Sequence, residues 1–216
     1  GVLLDYLPNN YLLYKQSHVE NDTNYETLWI YDVANEKKDK LYASKTKIQS
    51  ASFSPDGEYI SIIEVDENKS DLYLITREEK IAYKITPNAF LYPKLMKWID
   101  DKTLYFVDIK DESSTFLVYN IEENETKQIF NTDKIVESFD ALDERLIFTE
   151  ARQDSVNKNI YFYEIGNKLE EIGTGFNISF LDEQIIIYLE NLEEENKNIL
   201  HKYNIEKNTF EDKIDL

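Results

Sequence analysis

Phe53-Ser54-Pro55-Asp56-Gly57-Glu58-Tyr59-Ile60-Ser61 is the stretch on which the fold turns. An apolar strand ends in an aromatic, a Pro-Asp-Gly turn follows, and a strongly apolar strand leaves it. Pro presets φ and Gly admits positive φ, so together they set the backbone of a tight turn between antiparallel strands. The pattern recurs in weaker form at Leu3–Tyr11, Met96–Asp101, Glu137–Glu144 and Ile178–Glu183. There Asn9-Asn10, Asp100-Asp101, Asp143-Glu144 and Asp182-Glu183 fill the turn. The closing aromatics Tyr6, Phe53, Trp98, Phe139 and Phe180 are 47, 45, 41 and 41 residues apart.

A second column runs in step. Tyr31, Ile75, Tyr119, Tyr163 and Tyr203 sit in similar apolar segments, separated by 44, 44, 44 and 40 residues. Two columns with one period mean a repeat that consumes the whole chain. Each repeat has room for four strands. In the second they are Ile48–Phe53, Tyr59–Val65, Asp71–Thr76 and Lys80–Ile85, separated by turn residues. Second strands such as Leu104–Val107 and Ile185–Tyr188 are continuous apolar runs, which means burial on both faces. A four-stranded sheet buried on both faces and repeated every 40–45 residues is a propeller blade. The expected fold is therefore an all-β, five-bladed β-propeller, or a five-blade stretch of a larger one. Its blades should fall near 1–46, 47–90, 91–133, 134–174 and 175–216 of a single domain. The five aromatics should be buried equivalents. Val2–Leu7 should be the inner strand of the first blade and Thr209–Ile214 the outer strand of the last, with closure by packing of blade faces.

The Phe53–Ser61 segment resembles the WD-like repeat of TolB-type propellers, in which an aromatic-Ser-Pro-Asp-Gly turn joins the first two strands of a blade. The match is specific in one repeat and degenerate in four. The resemblance implies a propeller and no particular chemistry, because this family includes both periplasmic scaffold proteins and the propeller domains of prolyl-peptidase-like enzymes.

Composition narrows the function. Of 216 residues, 42% are hydrophobic, so a large core can form despite 31% charged residues. The net charge of −19 disfavours nucleic acid and anionic membrane as partners. The absence of Cys removes disulfides, thiolate catalysis and Cys-ligated zinc. A leading Gly without an initiator Met reads as a processed or engineered start. A signal peptide or anchor upstream would place the domain outside the cytoplasm.

Chemistry-bearing motifs are few. Five glycines cannot build a phosphate loop, and no Gly-x-Ser-x-Gly is present. His18 and His201 read as one partly exposed ring and one ring against an aromatic, with too few companions for a metal. Asp66–Asp71 lacks the central Gly and closing Glu of a calcium loop and reads as a hairpin. Asp5 and Glu137 are the carboxylates that a five-bladed carbohydrate-active enzyme would use as its acid pair. The preferred reading gives them no catalytic role and expects no cofactor, no metal and no hydrolase activity. That reading is a monomeric binding or scaffolding domain, or a regulatory domain of a larger protein, with a protein or small ligand at one propeller face. The loops between second and third strands should emerge together there. They carry Glu20, Asp22, Asp66, Glu67, Asp111, Glu112, Asp154, Glu193, Glu194 and Glu195, an acidic rim that would steer a basic partner.

Overall fold

In the computed structural model the described residues are 1–8, 10–67, 69–86, 89–151, 155–195 and 197–215, with the side chains at 94, 194, 212 and 215 excepted. They form 19 strands and one 3-10 turn, Glu193–Glu195. No helix among them is long and apolar enough to cross a membrane.

The first sheet is β1 (Val2–Leu7), β2 (Tyr11–Glu20), β3 (Thr23–Asp32) and β4 (Lys37–Ser44), hydrogen-bonded in chain order. The second is β5 (Lys47–Phe53), β6 (Tyr59–Asp66), β7 (Lys69–Thr76) and β8 (Ala82–Lys84). The third is β9 (Leu91–Trp98), β10 (Thr103–Lys110), β11 (Ser113–Asn120) and β12 (Glu125–Thr132). The rest is one seven-stranded sheet. It comprises β13 (Val136–Leu142), β14 (Arg145–Glu150), β15 (Lys158–Glu164), β16 (Glu170–Phe180), β17 (Ile185–Leu192), β18 (Lys197–Asn204) and β19 (Thr209–Asp215).

The seven-stranded sheet joins two of the expected strand sets through one shared strand. The boundary expected near residue 174 falls inside β16, which does not break there. Its first half pairs with β15 (Lys158 opposite Gly175) and its second with β17 (Phe176 opposite Leu189). One strand thus closes one antiparallel set and opens the next.

The chain divides into two compact units, residues 1–104 with 118–127, and residues 105–117 with 128–216. In the first unit, Leu7, Leu13, Leu28 and Ile30 on one face of the first sheet pack against Ile48, Ala51, Phe53, Ile60 and Ile62 of the second. Middle strands are apolar on both faces because both are covered, as Ile60, Ile62 and Ile63 show with no exposed surface. In the second unit, Ile147, Ile160, Ile186, Tyr188 and Tyr203 form the equivalent core.

The repeated aromatics are not equally buried. Phe53 is 5% exposed and Tyr6 is 65% exposed. Trp98, Phe139 and Phe180 are half-buried. Strand register explains Tyr6. Residues directly opposite across an antiparallel pair share a face. Tyr6 lies opposite Leu12, and Phe53 opposite Ile60. Phe53 faces the first sheet, whereas Tyr6 lies on the face of β1 turned away from that core. Leu7, on the opposite face, enters the core instead.

Candidate functional site

Two carboxylates, on β1 and β13, each take the backbone N–H of a residue on a strand not paired with their own. Asp5 accepts the Phe53 N–H through Oδ2 at 2.8 Å and its neighbour Tyr6 N–H through Oδ1 at 2.8 Å. Asp140, buried in β13, repeats the arrangement. Its Oδ2 accepts the Phe180 N–H and the Ser179 hydroxyl, both at 2.9 Å, and its Oδ1 accepts the Ala141 N–H at 2.8 Å. Asp5 lies opposite Leu13 and Asp140 opposite Ile147, each the third residue of its second strand. Ser52 and Ser179, opposite Ser61 and Ile187, occupy that position elsewhere. The counterpart of Asp5 is therefore Asp140, which sequence reasoning passed over in favour of Glu137. Glu137 is exposed and pairs with Lys158 at 3.2 Å.

The histidines behave as their surroundings dictate. His18 is exposed near the end of β2 and stacks on Tyr25 with ring centroids 5.6 Å apart. His201 is buried, stacks on Tyr188 at 4.8 Å, meets the edge of Phe210, and has Nε2 at 2.7 Å from Glu190 Oε2. Burial and the Glu190 charge hold the Tyr188 phenol well above its ordinary range. Among the described residues no cluster of three or more His, Asp or Glu is placed to hold a metal.

A second set of bonds aligns the hairpin ends. Glu26 and Lys15 form a partly buried pair at 3.0 Å. Glu26 takes the Ile48 N–H at 2.6 Å, and Lys15 donates to the Ile48 carbonyl. Ser70 Oγ takes the Leu91 N–H at 2.9 Å, and Ser114 Oγ takes the Val136 N–H at 3.0 Å. Residues 26, 70 and 114 are 44 apart, a third periodic column. In the first unit, Glu26 lies toward the β2–β3 hairpin, and Ile48 lies opposite Glu64 toward the β6–β7 hairpin. These bonds bring both hairpins to one end of that unit. In the second unit, Asn157 and Asn191 exchange two bonds of 2.8 Å, so the β14–β15 and β17–β18 connections also share an end.

The acidic residues expected at a rim lie at these ends. Glu20, Asp22, Asp66 and Glu67 in the first unit are exposed, as are Asp111, Glu112, Glu193 and Glu195 in the second. Asp154 and the Glu194 side chain lie outside the described residues. Glu195 pairs with Lys197 at 2.6 Å. Among the described residues no ion pair engages the other seven. Asn21 and Asp22 (φ 48° and 60°), like Asp111 and Glu112 (φ 51° and 61°), occupy two-residue turns with both central residues left-handed. This twist suits a hairpin, and with five glycines in the chain Asn21 and three acidic residues fill it.

Among the described residues three cavities open on the first unit, among them one of about 380 Å³ lined by Gly57, Tyr59 and Arg77 with their neighbours. Another, of about 610 Å³, is lined by Gln16, His18, Thr27, Trp29 and Lys40, among others. Lys38 lies 3.8 Å above the Trp29 ring. The third, of about 410 Å³, sits at the hairpin end and is lined by Gln49, Val65, Lys69, Ser70, Phe90, Leu91 and Tyr92. Neither Asp5 nor Glu137 lines any of the three. Between the first two sheets, burial and then the charge of the buried Glu64 raise the phenols of Tyr42 and Tyr73.

No family model matches the chain, and no curated protein matches it in sequence. Among solved structures, the β-propeller domain of the Trilobed protease from Pyrococcus furiosus is similar with a TM-score of 0.73 and 16% identity, over 100% of this chain and 70% of that one. TolB from Acinetobacter baumannii is similar with a TM-score of 0.55 and 20% identity, over 86% of this chain and 48% of that one. Oligogalacturonate lyase from Vibrio parahaemolyticus gives 0.62 and 11%, over 92% and 72%. The chain thus spans about half the length of the TolB chain. At such identities the likeness shows the fold, an all-β propeller, and nothing of activity.

Proposed function

We propose that the chain is a five-bladed propeller of the TolB-like, Phe-Ser-Pro-Asp-Gly repeat kind, a non-catalytic binding or scaffolding domain working outside the cytoplasm. Its partner is a basic protein docking on the acidic hairpin ends. The carrying observation is a division of labour among carboxylates. Asp5, Asp140 and Glu26 are engaged by backbone N–H groups inside the fold. Glu20, Asp22, Asp66, Glu67, Asp111, Glu112 and Glu193 stand exposed at hairpin ends without a counter-ion among the described residues. Such charges contribute little to stability and act chiefly on encounter rate. The carbohydrate-active alternative relied on Asp5 and Glu137, and structural bonds occupy both.

The test is association with a polybasic probe protein, followed by stopped flow across ionic strength. Association should slow steeply as salt rises, since exposed charges are screened beyond about 8 Å at physiological ionic strength. Changing Glu193, Glu194 and Glu195 to Gln should slow association while leaving the unfolding midpoint in place. An association rate indifferent to salt and to these changes would refute the reading.

A further inference from the structure

We infer that the cavity walled by Phe90 and Tyr92 receives an arginine side chain of the basic partner; this rests on the reading above and adds the specificity that a diffuse acidic rim lacks. The cavity holds about 410 Å³, enough for a guanidinium and its stem. Phe90 and Tyr92 are 39% and 53% exposed, large aromatic surfaces to leave in water beside a buried Leu91. Val65 and Leu91 give an apolar floor. The adjoining β6–β7 turn carries Asp66 and Glu67, exposed and without an ion pair among the described residues.

The backbone that carries the walls is tied down before anything binds. Ser70 and Ala89 exchange backbone bonds of 2.8 and 3.1 Å, and Ser70 Oγ accepts the Leu91 N–H at 2.9 Å. A preformed cleft avoids part of the ordering cost of association. The chemistry selects arginine. A guanidinium is planar, stacks on an aromatic face, and donates in a fork to a carboxylate, whereas an ammonium is a strongly hydrated point charge. The chain makes this contact within itself, with the Arg77 guanidinium 4.0 Å from the Tyr11 ring centroid. No cation lies over the Tyr92 ring among the described residues. Lys69 is the cation lining this cavity, and it sets the upper edge of the affinity by opposing an incoming charge.

The test uses the full chain and three labelled nonapeptides of one sequence, carrying three arginines, three lysines or three citrullines. The arginine peptide should bind about tenfold more tightly than the lysine peptide, and the citrulline peptide should not bind measurably. Tyr92→Leu should abolish the arginine preference, Tyr92→Phe should retain it, and Lys69→Gln should tighten both charged peptides. Asp66→Asn with Glu67→Gln should weaken both charged peptides and flatten their salt dependence. Far-ultraviolet circular dichroism of each variant confirms that the sheets persist. Salt-dependent binding with no arginine preference, or a preference untouched by Tyr92→Leu, would overturn the cavity and leave the acidic-rim reading standing. Failure of both charged peptides to bind in low salt would overturn both.

Discussion

Asp140 and Phe180 lie 40 positions apart in the chain, yet the Asp140 carboxylate takes the Phe180 N–H at 2.9 Å. Asp5 and Phe53 repeat the relationship at 2.8 Å. Asp5 and Phe53 belong to two sheets, the first and the second, whereas Asp140 and Phe180 lie on β13 and β16 of the seven-stranded sheet. An N–H left unpaired away from water is expensive, so these bonds fix β5 against β1 and β16 against β13.

The stability of Asp140 variants should follow from that. Asp140→Ala removes the acceptor of the Phe180 N–H and the Asp140 bonds of Ser179 and Ala141, and should cost about 2–3 kcal/mol in urea unfolding. Asp140→Asn keeps one acceptor oxygen and should cost roughly half as much. Asp5 is less buried, and Asp5→Ala should cost about 1–2 kcal/mol. Midpoints unchanged in all three would remove the staple from the account.

Gly57 and Gly166 both have positive φ, 74° and 85°, but their surroundings differ. A Cβ on Gly57 would collide with Leu7 Cδ1, while a Cβ on Gly166 would meet open space. Gly166→Ala should cost about 1 kcal/mol for the left-handed backbone alone, and Gly57→Ala about 2–4 kcal/mol because crowding adds to it. Equal losses in thermal or urea unfolding would show that Leu7 does not press on this turn.

Much of this architecture is legible in the sequence. The Phe53–Ser61 turn places β5 and β6 to within a residue or so, because Pro55 and Gly57 leave little backbone choice. Aligning repeats by aromatics fails where turn length varies. Phe53 and Ile60 are paired across a six-residue gap, but in the fourth repeat Ala141 pairs with Leu146 across a four-residue gap. Anchoring on Phe139 therefore put Glu137 in the place of Asp140. Counting three residues into each second strand finds Asp5, Ser52, Asp140 and Ser179 directly. Gly173 and Gly175 lie at the expected repeat boundary, yet they mark close approach inside a continuous strand. A Cβ on Gly173 would come within 2.6 Å of the Tyr188 hydroxyl, and one on Gly175 would strike the Leu189 carbonyl. The exposed aromatics Phe90 and Tyr92 carried no sequence signal, since exposure depends on what the neighbouring sheets cover.

Acid should act on the outer edge of the second unit. Glu211 is held down to about 2, from an ordinary value of 4.5, by hydrogen bonds from Lys207, Lys202 and Asn204. A carboxyl whose folded pKa is depressed contributes stability that is full above the unfolded value and is lost as pH falls toward the folded one. Glu211→Gln should therefore lower the unfolding midpoint at neutral pH, with the gap to the unaltered chain closing between pH 4.5 and about 2. A gap that stayed constant over this window would show that charge at Glu211 is immaterial.

Lys15 and Glu26 offer the sharpest separation of pairing from burial. Their side chains are 13% and 18% exposed, and together they engage both the N–H and the carbonyl of Ile48. Removing either partner's charge leaves the other poorly solvated, and Lys15→Met also strands the Ile48 carbonyl. Lys15→Met and Glu26→Gln should each cost about 1–3 kcal/mol, below the loss expected for a wholly buried pair. In the double variant the lone charge disappears, so the combined cost should fall short of the sum by about 1 kcal/mol or more. Additive losses in a double-mutant cycle measured by urea unfolding would mean that the two side chains hold Ile48 independently and that their mutual attraction contributes nothing.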